Sequence, residues 1–178
     1  MMNTWFTSDY HLGHSNIIKY CNRPFKDVHH MDEMIIRHHN ERIKPEDTVF
    51  FLGDFCFRNT KGGKEGEGGL NKADDYISRL NGHFVFIRGN HDNNNSLNTK
   101  IKSMVIDIAG QDIFLVHNPA DFNSNYKLNI VGHVHEKWKM KIFKPENVTV
   151  VNVGVDIWNF YPISIQEVLA FINKKEVI

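Results

Sequence analysis

Cysteine is scarce in this 178-residue chain, with Cys21 and Cys56 the whole complement. Two scattered thiols supply neither a disulfide framework nor a CxxC redox or zinc motif, and they fit a reducing compartment. Charge of one sign is missing as well. The 21 basic and 21 acidic side chains cancel, which argues against coating DNA or an anionic membrane by bulk charge. Apolar runs such as Val49-Phe50-Phe51-Leu52 fall far short of a membrane span, so no membrane partner is expected. Met1 to Phe6 shows no basic region leading into an apolar stretch, hence no secretory signal. A soluble, cytoplasmic protein is the expectation. The glycine-rich residues 59 to 69 lack Walker spacing, so they are no P-loop and predict a surface excursion. With no repeat and no linker, a single domain over 1–178 is expected.

What the sequence does have is a normal globular composition, 41% hydrophobic and 24% charged, and an excess of histidine, eleven in all. Apolar segments predict strands at 3–8, 48–52, 84–87 and 129–131, a hairpin of 105–108 and 113–116 around Ala109-Gly110-Gln111, and a strand at 148–155. Helices are predicted at 28–43, with Pro45 just beyond, and at 71–80, stopped by Gly82. Ser164 opens a last helix, where Glu167 completes a capping box and Ile163 with Val168 a hydrophobic staple.

Five of these strands end in polar clusters: Asp9/His11, Asp54, Asn90/His91/Asp92, His117 and His133/His135. In an open α/β sheet the loops at the carboxyl ends of strands share one edge, where ligands bind. The clusters can therefore converge. Their donors are carboxylate and amide oxygens and imidazole nitrogens, without thiolate. That set suits manganese, iron, zinc or nickel better than calcium and disfavours a cysteine-built zinc site. Seven donors exceed one tetrahedral ion and suit two ions roughly 3.5–4 Å apart sharing a carboxylate. Asp9 and His11, like His133 and His135, lie two apart and would point the same way on extended backbone.

Asp9-x-His11, Gly53-Asp54, Gly89-Asn90-His91-Asp92, His117 and Gly132-His133-x-His135 resemble, in order, the motifs of the calcineurin-like metallophosphoesterase superfamily, over residues 4 to 156. The stretch from Phe6 to Ile18 looks like a small bacterial and phage-type branch. The resemblance implies a four-layer α/β/β/α sandwich with two divalent metal ions at the strand ends, manganese first, with iron, zinc or nickel as alternatives. It assigns Asp9, His11 and His135 to one ion and Asn90, His117 and His133 to the other, with Asp54 bridging. It implies hydrolysis of a phosphodiester, or of a small phosphomonoester or nucleotide, by a metal-bridging hydroxide. His91 then remains as the general acid, and Asp92 is the candidate for orienting it. Arg58, His14, Asn16 and Arg88 are candidates for holding the substrate phosphate; Phe57, where relatives with such an arginine carry an acid, is a departure at the Arg58 position.

Competing readings attach to several of these residues. His29, His30, His38 and His39 fit a solvated helix face. Trp158, Phe160 and Tyr161 fit packing of the last strand on the last helix. Trp138 among Lys137, Lys139 and Lys141 fits an alternating edge hairpin better than a nucleic-acid surface. Two rival functions stand beside the phosphoesterase: a nuclease or end-processing enzyme using the same site, marked by single-strand activity that falls steeply with salt, and a non-catalytic scaffold of the same fold. The scaffold should have lost ligands, and every expected position is filled.

Overall fold

Alternation of side chains along short apolar strands builds the molecule from two facing sheets. The computed structural model describes residues 2–57, 72–93 and 97–176. In chain order the elements are β1 (Thr4–Thr7), α1 (Ser15–Tyr20), α2 (Val28–Arg42), β2 (Thr48–Leu52), α3 (Ala73–Ile77), β3 (His83–Ile87), β4 (Ser103–Ile108), β5 (Gln111–Val116), β6 (Leu128–Val131), β7 (Met140–Phe143), β8 (Val148–Asn152), β9 (Ile163–Ser164) and α4 (Ile165–Glu176). One sheet has the order β3-β2-β1-β9 and the other β4-β5-β6-β8-β7. Strands β1, β2 and β3 run parallel, as do β5, β6 and β8. The antiparallel β9, β4 and β7 lie at sheet edges.

Between the sheets, Phe6, Leu52 and Ile87 of the first meet Ile113, Leu115, Leu128, Ile130 and Val151 of the second, and Val168 and Ile172 of α4 join them. The outer face of the first sheet carries Phe51 under α1, α2 and α3, through Ile17, Met31, Ile35 and Tyr76. On the outer face of the second sheet, Phe122 and Trp138, with Phe143 of β7, pack on Val116, Val148 and Val150. Two sheets flanked by helices is the sandwich the sequence led us to expect.

Local chemistry sets the element ends. The Asp27 carboxylate accepts from His30 N–H at 2.7 Å to start α2. The hairpin turn Ala109-Gly110 has both residues left-handed (φ 55° and 82°), as a two-residue β-turn of matching twist requires. Ser164 and Glu167 exchange the expected bonds at the head of α4.

Departures from expectation have local causes too. The second predicted helix shortens to α3 because Arg79 and Leu80 bond back to Tyr76 and Ile77, three residues away, and the turn tightens. Strand β8 stops at Asn152, whose side chain accepts from Gly154 N–H at 2.8 Å and turns the chain. His39 is not on a solvated face. It is fully buried, with Tyr10 Oη at 2.8 Å from Nδ1 and the Asn81 carbonyl at 2.8 Å from Nε2. Lys139 lies over Trp158 and Lys141 over Trp138 (4.3 and 5.0 Å), which absorbs the basic-aromatic alternation leading into edge strand β7 into packing. Among the described residues, no helix is long and apolar enough to cross a membrane. The predicted loop at 59–69 lies outside the described residues.

Candidate metal centre

Because the two parallel triplets of strands present their carboxyl ends to one edge, the polar clusters that follow them meet there. Asp9, His11 and His135 offer ligand atoms that all lie within 4.8 Å of one another, and so do Asp54, His117 and His133. Asn90 Oδ1 sits 2.9 Å from His117 Nε2 and 2.8 Å from His133 Nδ1. Asp54 Oδ2 lies between the groups, 3.6 Å from His11 Nε2 and 3.4 Å from His117 Nε2. All seven predicted donors converge.

The backbone that presents them is not the extended one expected. Strand β1 ends at Thr7, and Asp9, His11, Asp54, His133 and His135 all have left-handed φ, between 46° and 70°. Such non-glycine residues cost on the order of 1 kcal/mol each and persist where surrounding contacts hold them. Here the Asp9 N–H donates to the Gly53 carbonyl and the His11 N–H to the Asp54 carbonyl, each at 3.0 Å. The His133 N–H donates to Asp9 Oδ2 at 2.9 Å. Two glycines explain themselves by close approach. A Cβ at Gly89 would strike the Asp54 carboxylate and backbone, and one at Gly132 would strike Ser8 Oγ and come within 2.8 Å of Asp9 Oδ2.

Electrostatics favours cations here. Among the described residues, Asp9 Oδ1 and His11 Nε2 are buried side-chain atoms with no hydrogen-bond partner. An unsatisfied buried polar atom costs about 1–3 kcal/mol, more if charged, and both atoms belong to one ligand group. Burial raises the Asp9 carboxyl, against the pull of His117 and His135. Burial also lowers His11 well below the ordinary range and lowers His133. For His117, burial is outweighed by hydrogen bonding to Asp54 and by the charges of Asp9 and Asp54, which push its pKa up to about 9. For His135, burial is outweighed by hydrogen bonds to Asp156 and Cys21 and by Asp9, which push it up to about 10. Without metal, protons on these two imidazoles neutralise the carboxylates. Divalent cations fit the same places, and the oxygen and imidazole donors suit them.

Ring orientation is set from behind. His117 Nδ1–H donates to the Leu52 carbonyl at 2.6 Å and His135 Nδ1–H to Asp156 Oδ2 at 3.0 Å, so Nε2 of each ring faces the cluster. Buried Arg23 grips the same Asp156 carboxylate through Nε and Nη2 (2.8 and 2.9 Å) and also donates to the Asp9 and Tyr10 carbonyls (2.7 and 2.9 Å). Sequence reading missed both Arg23 and Asp156. For Asp156 a signal existed, since it too closely follows an apolar strand.

The remaining candidates separate. His91 lies in the cavity against the first group, its ring 5.1 Å from that of His11, with its backbone N–H held by Asp54 Oδ1 at 2.8 Å. Asp92 accepts from the backbone N–H groups of Gly89, Asp54 and Phe55 at 2.7, 2.9 and 3.1 Å. This carboxylate therefore clamps the Asp54 turn; the sequence suggested that it orients His91. His14 stacks on Phe57 and lines the same cavity as His91; burial brings its pKa down to about 4, so its ring is neutral at pH 7. Arg88 lines a second cavity with Asn90, His117 and His133. Asn16 sits half-buried in α1, and among the described residues no contact ties it to the cluster. Arg58 lies outside the described residues.

Fold and centre together define an α/β two-sheet sandwich with a histidine- and carboxylate-rich centre at its strand ends. Residues 2–159 match the calcineurin-like phosphoesterase superfamily domain. The chain belongs to that family, whose members bind divalent metals. It is 35% identical to an uncharacterized protein of Methanocaldococcus jannaschii, covering 100% of this chain and 96% of that one. It is 26% identical to the gene 66 protein of Mycobacterium phage L5, over 89% and 88%. Among solved structures, a protein of unknown function from Aquifex aeolicus superposes with a TM-score of 0.70 at 25% identity, over 96% of this chain and 100% of that one.

Proposed function

We propose that this protein is a metal-dependent phosphoesterase that hydrolyses a phosphodiester on two divalent cations, with manganese as the first candidate. The observation that carries the reading is the pair of ligand groups meeting at Asp54, with Asp9 Oδ1 and His11 Nε2 buried and unsatisfied. Asp9, His11 and His135 would hold one ion, Asn90, His117 and His133 the other, and Asp54 both. When bound, the ions supply Lewis acidity to the phosphoryl oxygens and to water.

The chain's own residues do the rest. His91 stands outside both ligand groups and within the cavity that adjoins the first, where its ring delivers a proton to the leaving alkoxide. Asp92 keeps the His91 and Asp54 turns together through backbone N–H bonds. His14, neutral at pH 7, offers a hydrogen bond without adding charge. A cavity against each ligand group gives room on both sides of a scissile phosphorus, which favours a diester over a monoester.

The test is hydrolysis of bis-p-nitrophenyl phosphate and p-nitrophenyl phosphate by metal-stripped protein, with manganese, nickel, zinc or magnesium restored singly. The reading expects activity with a transition metal, a diester preference, and loss of about 100-fold or more in turnover in His91→Asn with metal retained. Full turnover in His91→Asn on both esters removes His91 from the mechanism.

A further inference from the structure

The arginines among the described residues divide unevenly. Arg23, Arg37, Arg42 and Arg79 each hold a carboxylate at 2.7–3.0 Å. Among the described residues, Arg88 is half-buried and its guanidinium has neither an ion-pair nor a hydrogen-bond partner. A partly desolvated arginine without an anion is an unbalanced charge. Its place gives that charge a use. Arg88 lines a cavity of about 450 Å³ whose walls include Asn90, His117 and His133. Its backbone N–H donates to the Ile101 carbonyl at 2.7 Å, which brings Lys102 onto the same wall. Lys102 too has no carboxylate within 4.0 Å among the described residues. One acid, the exposed Asp121, also lines the cavity.

We propose that this cavity is a subsite for a second phosphoryl group, so that the natural substrate carries a phosphate next to the one being cleaved. The inference rests on the phosphoesterase reading above. Guanidinium and ammonium groups are the usual partners of phosphate, the former through a planar fork. The volume exceeds what one phosphate needs and falls within the range of small-molecule sites. A neighbouring phosphate occurs both in a nucleic-acid strand and in a nucleoside polyphosphate, and the Arg88–Lys102 pair serves either. The cavity against the other ligand group, about 320 Å³ and lined by His14, Tyr20 and His91, takes the other side of the scissile bond. Bis-p-nitrophenyl phosphate has no second phosphate and reaches the centre without this subsite.

The experiment compares kcat/KM of the manganese-loaded protein on three probes: bis-p-nitrophenyl phosphate, a four-nucleotide thymidylate, and ATP. Lys102 is exposed, so its replacement leaves the fold intact. In Lys102→Ala, the ratio of the preferred two-phosphate probe to bis-p-nitrophenyl phosphate falls about tenfold, through KM. Lys102→Arg restores most of it, Arg88→Gln lowers it further, and Asp121→Asn raises it. If the thymidylate is the preferred probe, Lys102→Ala also makes its salt dependence shallower by about 0.7 in the log–log slope. The thymidylate-to-ATP ratio tells strand from nucleotide. An unchanged ratio in both Lys102→Ala and Arg88→Gln overturns the subsite, as does turnover of bis-p-nitrophenyl phosphate with neither two-phosphate probe cleaved. No turnover of any probe overturns the phosphoesterase reading and the subsite with it.

Discussion

Replacing Asp156 with asparagine tests how far the centre depends on what stands behind it. The carboxylate takes two bonds from Arg23 and one from His135, at 2.8–3.0 Å, and both it and Arg23 are shut away from water. Breaking a buried ion pair by removing one partner costs about 3–5 kcal/mol. For a chain of this size each kcal/mol moves Tm by about 2–4 °C, so the variant melts on the order of 10 °C lower. A second effect is separable from the first. Asp156 fixes the His135 tautomer, and losing the partner behind a metal-bound imidazole costs about 10–100-fold in metal affinity. The assay is manganese affinity by chelator competition at a temperature well below both melting points, beside thermal unfolding. A lower Tm with metal affinity within about twofold of wild type would show that the Arg23–Asp156 pair props the fold and does not aim His135.

Other outcomes follow from the same contacts. Metal-free protein loses stability as pH rises from 6.5 towards 10, because His117 and His135 hold protons in the folded state (about 9 and about 10) that the unfolded chain has already released. It also loses stability as pH falls below 6.5, since the lowered His14 and His39 (both about 4) protonate more readily when unfolded; chemical denaturation across pH 4–10 should show the maximum between. Gly89→Ala, whose new methyl collides with Asp54, keeps the fold at a cost of about 1–3 kcal/mol but binds less metal, measured by elemental analysis after gel filtration. Ile35→Ala, in the helix layer over the first sheet, lowers stability by about 2–5 kcal/mol in urea and leaves metal stoichiometry at the wild-type value.

Much of the fold was legible because its strands are short, apolar and cut off by polar residues. Thr48–Leu52 emerges as read, and the Ala109-Gly110 turn and the Ser164–Glu167 box were visible in residue type alone. Helix α1 was not, since six residues without a side-chain cap carry no periodic signal. The donors of the centre were readable as residue types after strands, but their presentation was not. Left-handed φ at Asp9, His11, Asp54, His133 and His135 depends on tertiary bonds such as His133 N–H to Asp9, across 124 residues. The Arg23–Asp156 pair spans 133 residues, and the burial that makes it matter is a property of the packed molecule. Asp92 shows the complementary limit. Adjacency to His91 suggested one partner, and the fold supplies three backbone N–H groups that no adjacency announces.

The central claim is that two divalent ions share Asp54, and electron paramagnetic resonance of a manganese titration addresses it most directly. The account predicts uptake of two ions per chain and a spectrum of an exchange-coupled pair, lost in Asp54→Ala. Uptake of one ion only, the six-line signal of isolated ions at full loading, or no uptake at all would contradict it.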